Sequence, residues 1–438
     1  MPRIALTCAF VAICLVLSGH VLLDRRRIMQ YPSVMALTLM LLVVPEAVIL
    51  TSHQWLLPDA VRLGSDFEIT LLLYIACLVA GLVGYYHPLT RRLSILRGPR
   101  ISDRGLVAFA TMLTAVELCG FIGMYYEARG ALRFYSVSGA YSLSWTGPIT
   151  GYAAAASMGI PALFAWLLVF LRGRSASRGL GLIIAALPIV AQVLFLARRQ
   201  IGVELGFATL LAVYFARGTL PRRTLVVGGG AAMALAVVVI APLRDAAQLG
   251  DSYSNRDVMR RVDNHFQRFV GGHSSEYLLR NAVVTVAGHR ASGEYYFGAG
   301  FYNRLVQESI PTFLVFDSRD KQNLLAHLEG SERLTERLYG WERPRTQWVP
   351  GPADVFRELW YAGPLVFLII GCFFRVLWMS ARSGNVLGQS LYSTLIVYGG
   401  VTFLNSPGVA FVKGFRTIVV LGTIYTAVLV VQQRRAGS

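Results

Sequence analysis

Apolar runs of about twenty residues recur along this chain, and each is long enough for a helix to cross the hydrocarbon core of a bilayer. They fall at approximately 4–23, 31–50, 67–86, 105–126, 148–171, 180–197, 201–217, 224–242, 353–378, 386–404 and 412–432. With 55% of residues apolar and only 15% charged, the composition excludes a disordered chain, a collagen and a soluble multidomain enzyme. The expected fold is all-α: a polytopic transmembrane helix bundle of about eleven spans with one long helical extracytoplasmic loop. Residues 1–242 form an N-terminal bundle of about eight spans, 243–352 the loop subdomain, and 353–438 a C-terminal bundle of about three. The first run reads as an anchor rather than a signal peptide, because further spans follow and no convincing small-residue cleavage site does.

The 41 basic residues exceed the 24 acidic ones by 17. Only Lys321 and Lys413 are lysines, so the excess is carried by arginine. On a soluble protein this would suggest nucleic acid. Here much of it lies in alternate short loops, among them Arg25-Arg26-Arg27, Arg91, Arg92, Arg97, Arg172, Arg174, Arg222, Arg223, Arg382, Arg434 and Arg435. Positive charge in short loops marks the cytoplasmic side. The N-terminus is then outside, the C-terminus cytoplasmic, and the expected surroundings are membrane lipids with no nucleic acid partner. Cys8, Cys14, Cys77, Cys119 and Cys372 all fall in apolar runs with no CxxC pair, so neither a disulfide framework nor a zinc site is expected.

Residues 243–352 hold 13 Arg and one Lys against 13 acidic residues, and four of the seven histidines. Long translocated loops are exempt from the topology rule, so this arginine density points to salt bridges or an anionic ligand. Val258, Val262, Phe266 and Phe269 recur at helical spacing behind Ser254 and Asp257, with Arg261, His265 and Arg268 on the opposite face. A second helix is expected from Ser274 to Val286, and a salt-bridged surface helix near Ser331–Leu338. Between them, Tyr295-Tyr296-Phe297-Gly298-Ala299-Gly300-Phe301-Tyr302 is richer in aromatics and glycine than a plain linker. Such a stretch suits either the faces of sugar rings or an interfacial aromatic belt. Glu46, Glu117 and Glu204 lie within expected spans, where an ionisable group is a functional candidate by default.

The stretch Tyr296–Pro311, YFGAGFYNRLVQESIP, resembles the aromatic-x-Gly-x-Gly stretch ending in Ile-Pro of Wzy-type O-antigen and exopolysaccharide polymerases. Glu358-Leu359-Trp360-Tyr361-Ala362-Gly363-Pro364 resembles their E-x-x-x-x-G approach to the next span. Ala197-Arg198-Arg199 sits, as their small-residue-then-Arg feature does, in an outer hairpin between the sixth and seventh spans. The layout, with one long outer loop before the last three spans, agrees. Here Pro311 is followed by Thr312, where the family often has Arg, and the first arginine after it is Arg319.

The resemblance implies an architecture similar to the GT-C-type lipid-linked glycosyltransferases in the bacterial cytoplasmic membrane. It implies transfer of a growing glycan from a polyprenyl (undecaprenyl) diphosphate to a sugar hydroxyl of another lipid-linked repeat unit, without metal or other cofactor. A chain-length regulator protein is an implied partner. The leaving diphosphate needs fixed positive charge, for which arginine is suited: Arg198, Arg199, Arg268, Arg280, Arg290, Arg304 and Arg319. The acceptor hydroxyl needs a base, and Glu358, His273 and His265 are the candidates. Tyr296, Tyr302 and Trp360 are the expected glycan platforms. The competing classes are an O-antigen ligase-type glycosyltransferase, with one strongly marked loop histidine, and a lipid-linked oligosaccharide transporter or flippase, with internal repeats.

Overall fold

The computed structural model describes residues 2–23, 27–88, 101–127, 149–173, 175–196, 199–219, 278–309, 324–328, 330–341 and 349–437. Every regular element among the described residues is helical. The first half holds α1 (Pro2–Leu23), α2 (Tyr31–Thr38), α3 (Val44–Ser52), α4 (Asp59–Arg62), α5 (Asp66–Tyr86), α6 (Asp103–Glu127), α7 (Ile149–Ala156), α8 (Gly159–Arg172), α9 (Ala176–Leu196) and α10 (Arg199–Arg217). After residue 277 come α11 (Leu278–Ser292), α12 (Ala299–Ser309), α13 (Ser331–Tyr339), α14 (Gly351–Leu359), α15 (Pro364–Arg382), α16 (Val386–Val401) and α17 (Pro407–Gly437). A π-helical turn, Leu39–Val43, joins α2 to α3, just before Pro45.

Among the described residues, six helical stretches are long and apolar enough to cross a membrane: Tyr31–Ser52, Asp66–Tyr86, Asp103–Tyr126, Gly151–Arg172, Pro364–Arg382 and Pro407–Arg435. This is a helical membrane protein. The expected runs near 4–23, 180–197, 201–217 and 386–404 are also helical. The run at 224–242 and the helix expected around Ser254–Phe269 lie outside the described residues. The run at 353–378 is two helices rather than one, α14 and α15, separated by a 3-10 turn over Trp360–Ala362. Gly363-Pro364 explains the break, since proline fits the first turn of a helix and not its interior. Glu358 therefore precedes the membrane span instead of lying in it.

Among the described helices, α5 and α15 share the most extensive contact. A methyl group on Gly84 would overlap the Leu368 carbonyl, and one on Gly371 the Gly81 carbonyl. Small residues let two backbones meet in this way inside a bilayer, where burial from water gives no drive. Aromatic rings fill the space around them: Tyr31 stacks on Phe374 at 4.8 Å, and Phe367 meets Phe403 at 4.5 Å.

Polar contacts sort the molecule into two ends. At one, Arg3 donates to Gln54 and to the carbonyls of Arg62 and Gly64 and pairs with Glu68. Arg290 pairs with Asp66 at the same end, which puts the C-terminal turn of α11 beside the 53–66 turn. At the other end Ser102 donates to Gln432, Arg172 faces Asp103 and Tyr392 donates to the Met29 carbonyl.

Candidate functional site

The two stretches that carry the sequence resemblance meet in space. The Tyr296 N–H donates to the Arg357 carbonyl at 2.9 Å and the Gly298 N–H to the Glu358 carbonyl at 3.2 Å. The Gly300 N–H donates to Glu358 Oε2 at 3.0 Å. Both glycines are required by this geometry. Gly298 has φ +87, a conformation that side chains disfavour. A methyl group on Gly300 would overlap the Glu358 carboxylate. The carboxylate sits on the first turn of α12, where helix N–H groups lack partners and favour negative charge.

Glu358 is one member of a buried polar chain. Arg357 Nη2 lies 2.6 Å from Asp354 Oδ1, and its Nε lies 3.6 Å from Glu358 Oε1. Asp354 Oδ2 accepts from Ser406, which in turn accepts from Arg304. On the far side Arg357 Nη1 donates to Ser331 Oγ at 3.0 Å, and Ser331 lies 3.1 Å from His289 Nε2. His289 Nδ1 faces the Glu294 carbonyl at 2.7 Å. A carbonyl can only accept, so Nδ1 carries the proton and Nε2 accepts from the Ser331 hydroxyl. Four helices and the Ser406 turn thus supply one continuous network, with the Arg357 guanidinium also over the Tyr296 ring at 5.3 Å.

The charges answer one another, and burial sets their acidity. Glu358 is fully buried; desolvation pushes its carboxyl up to about 7, against the pull of Arg357 and the α12 N–H groups. Burial holds His289 neutral, with its value lowered to about 4. Arg357 stays charged, because Asp354 and Glu358 outweigh its desolvation. Glu358 Oε1 has no hydrogen-bond donor among the described residues. Asp354 Oδ1 and Arg357 Nε are the other buried atoms of the network without a hydrogen-bond partner among the described residues.

Of the arginines expected to meet an anionic ligand, Arg280, Arg290 and Arg304 are described, and each has a different partner. Arg280 lies over Trp341 at 4.1 Å on α11, Arg290 pairs with Asp66, and Arg304 serves Ser406. Each has a protein partner, so the anionic-ligand expectation for these three meets an internal alternative. Arg198, Arg268, Arg319, His265 and His273 lie outside the described residues, as does the side chain of Arg199. Of the expected glycan platforms, Tyr296 faces inward, while Tyr302 and Trp360 are about half exposed. Asp354, Ser331 and Ser406 carry no sequence signal of function: Asp354 stands between Ala353 and Val355, Ser331 opens a charged helix and Ser406 follows Asn405 in a turn.

The in-span carboxylates differ in the same way. Glu46 Oε2 accepts from Leu279 N–H at 2.8 Å and Oε1 from Arg280 N–H at 3.1 Å, capping α11 from the membrane side. Glu117 is fully buried between α6 and α8, and neither of its oxygens has a hydrogen-bond partner among the described residues. No group of side chains that could hold a metal ion occurs among the described residues. No protein-family model, curated protein or solved structure matches the chain.

Proposed function

We propose that the protein is a membrane glycosyltransferase that polymerises polyprenyl-diphosphate-linked oligosaccharide repeat units, with Glu358 as the general base. The observation that supports this most is the meeting of the two resemblance-bearing stretches on one carboxylate. Oε2 is fixed by the Gly300 N–H and Oε1 is left without a donor. A base works best when its acidity lies near the working pH, and a carboxyl raised to about 7 meets that need. It takes the proton of an acceptor sugar hydroxyl as that oxygen attacks the donor's anomeric carbon, and the lipid diphosphate leaves.

In this reading the diphosphate is met by arginine, with Arg198, Arg199, Arg268, Arg280, Arg290, Arg304 and Arg319 as the candidates. Tyr302 is the exposed ring beside α12 for a sugar face. The end that holds Arg3, residues 53–66, α11 and α14 faces outward from the bacterial cytoplasmic membrane, with the C-terminus inside. The full architecture has about eleven spans and is similar to GT-C-type transferases.

The test is product length. A strain lacking the protein is expected to make one-repeat products only, and Glu358→Gln to reproduce that pattern at normal protein level. Glu358→Asp, which shortens the reach but keeps the acid, is expected to retain a fraction of activity. Long carrier-linked chains in the deletion strain would instead identify a ligase, and single units held on the cytoplasmic face a transporter. Full-length product from Glu358→Gln would remove the base assignment.

A further inference from the structure

Among the described residues only two non-glycine residues have φ in the left-handed range, and both are aromatic: Phe297 at +50 and Trp360 at +55. Bulky residues avoid that region, and such outliers persist where surrounding structure over-determines them. Here the determinants are visible. The N–H groups on either side of Phe297 donate to the carbonyls of Arg357 and Glu358, and the Trp360 carbonyl accepts from the Gly363 N–H, so Phe297 is held against the end of the helix that leads into Trp360. The Tyr295 ring lies between them, 6.5 Å from Phe297 and 6.0 Å from Trp360.

The strain buys no burial. Phe297 is 79% exposed, Trp360 51% and Tyr361 50%. Yet these rings are not isolated on the surface. Tyr361, Leu365 and Ile369 recur four residues apart at the start of α15, and the two aliphatic ones are 58% and 57% exposed. That stripe runs down a span apolar enough to cross a membrane. The aromatic group continues it at its polar end, three to four residues before Pro364.

We propose that Phe297, Trp360 and Tyr361 form one anchor that sits in the headgroup boundary of the bilayer and fixes the depth of the Glu358 network. Tryptophan and tyrosine favour that boundary, because each has an apolar body and a polar tip. The occupant is the phospholipid interface, because the patch is continuous with the lipid-facing stripe of α15. Trp360 is thereby assigned to lipid and not to a glycan. Glu358 lies two residues from it, so the base works at the level where a lipid-linked diphosphate must lie. The anchor itself does not depend on the polymerase reading.

The test uses full-length protein in phosphatidylcholine–phosphatidylglycerol vesicles. The emission component lost in Trp360→Phe is expected to fall about twofold with lipids brominated near the headgroup end of the chain, and little with aqueous iodide. Adding Phe297→Trp to Trp360→Phe should restore a component with the same pattern. Iodide quenching without a bromolipid effect at both positions overturns the proposal. So does shielding of Trp360 from bromolipid by a soluble repeat-unit oligosaccharide, which would return the ring to the glycan. Altered chain length in Glu358→Gln plays no part in either outcome, so the anchor and the polymerase reading stand or fall separately.

Discussion

The junction of α11–α14 with Ser406 and the interface of α6 with α8 both bury carboxylates, and they treat them in opposite ways. At the junction Asp354 and Glu358 are fully buried, and both face the Arg357 guanidinium. Between α6 and α8 the Glu117 carboxyl is equally buried beside Gly159, and neither of its oxygens has a hydrogen-bond partner among the described residues. Burial of charge is expensive in both places. Only the first converts the expense into structure, by joining segments up to 117 positions apart, from His289 to Ser406. A network of that kind specifies one arrangement, whereas a lone carboxyl specifies none.

The sharpest way to break the comparison is Asp354→Ala. It leaves Arg357 buried beside one carboxylate and Ser406 without its acceptor, and should cost about 3–5 kcal/mol. Thermal unfolding in detergent checks this. In a double-mutant cycle, Asp354→Ala with Arg357→Ala should cost clearly less than the sum of the two single changes. Additive losses would mean that the network is a set of independent contacts.

Next in size is a pH effect. The folded Glu358 carboxyl is raised from 4.5 to about 7, so between those values the folded state holds a proton that the unfolded chain has released. Stability therefore falls as pH rises through that window, by up to about 3 kcal/mol. His289 acts in the other direction. Its value is lowered from 6.5 to about 4, so its cost to stability grows as pH falls from 6.5 towards 4. The two slopes oppose each other between about 4.5 and 6.5. Glu358→Gln should remove the carboxyl's share of the slope and so flatten the fall of unfolding temperature with rising pH between about 4.5 and 7. An unchanged profile in that variant would show that Glu358 does not titrate in the window. Catalysis should rise with pH through about 7, while stability declines.

The smallest expected effect separates the two regions most directly. Glu117→Leu removes a buried carboxyl that has no hydrogen-bond partner among the described residues and should stabilise by about 1–3 kcal/mol. Glu46→Leu, by contrast, uncaps α11 and should destabilise by about 1–2 kcal/mol. Loss of activity in Glu117→Leu with no change in unfolding temperature would make that carboxyl a working group instead of a structural cost.

The helices were legible because twenty apolar residues in a row admit few alternatives. The surface helix at Ser331–Tyr339 was also read to within one residue, from its alternating Glu and Arg pairs. The network was not legible, for a physical reason. Asp354 stands inside an apolar run and Ser406 just past one, so each looks incidental until the fold brings them together across 52 positions. The arginines pose the converse problem. Their density fits either salt bridges or an anionic ligand, and Arg280 and Arg290 find Trp341 and Asp66, partners from other segments that local spacing cannot reveal. The break before α15 did have a signal in Gly363-Pro364, which competed with the apolar character of the residues on both sides.

The notched contact between α5 and α15 has a consequence for how the chain is made. Pro364 follows Tyr86 by 278 positions. At roughly 5–20 residues per second of synthesis, α5 waits on the order of tens of seconds in the bilayer before its partner emerges. During that interval the faces of Gly81 and Gly84 can be filled only by lipid or by neighbours inserted earlier. Any truncation upstream of α15 leaves α5 permanently unmatched, and gives membrane proteases a feature by which to distinguish an unfinished chain from a finished one.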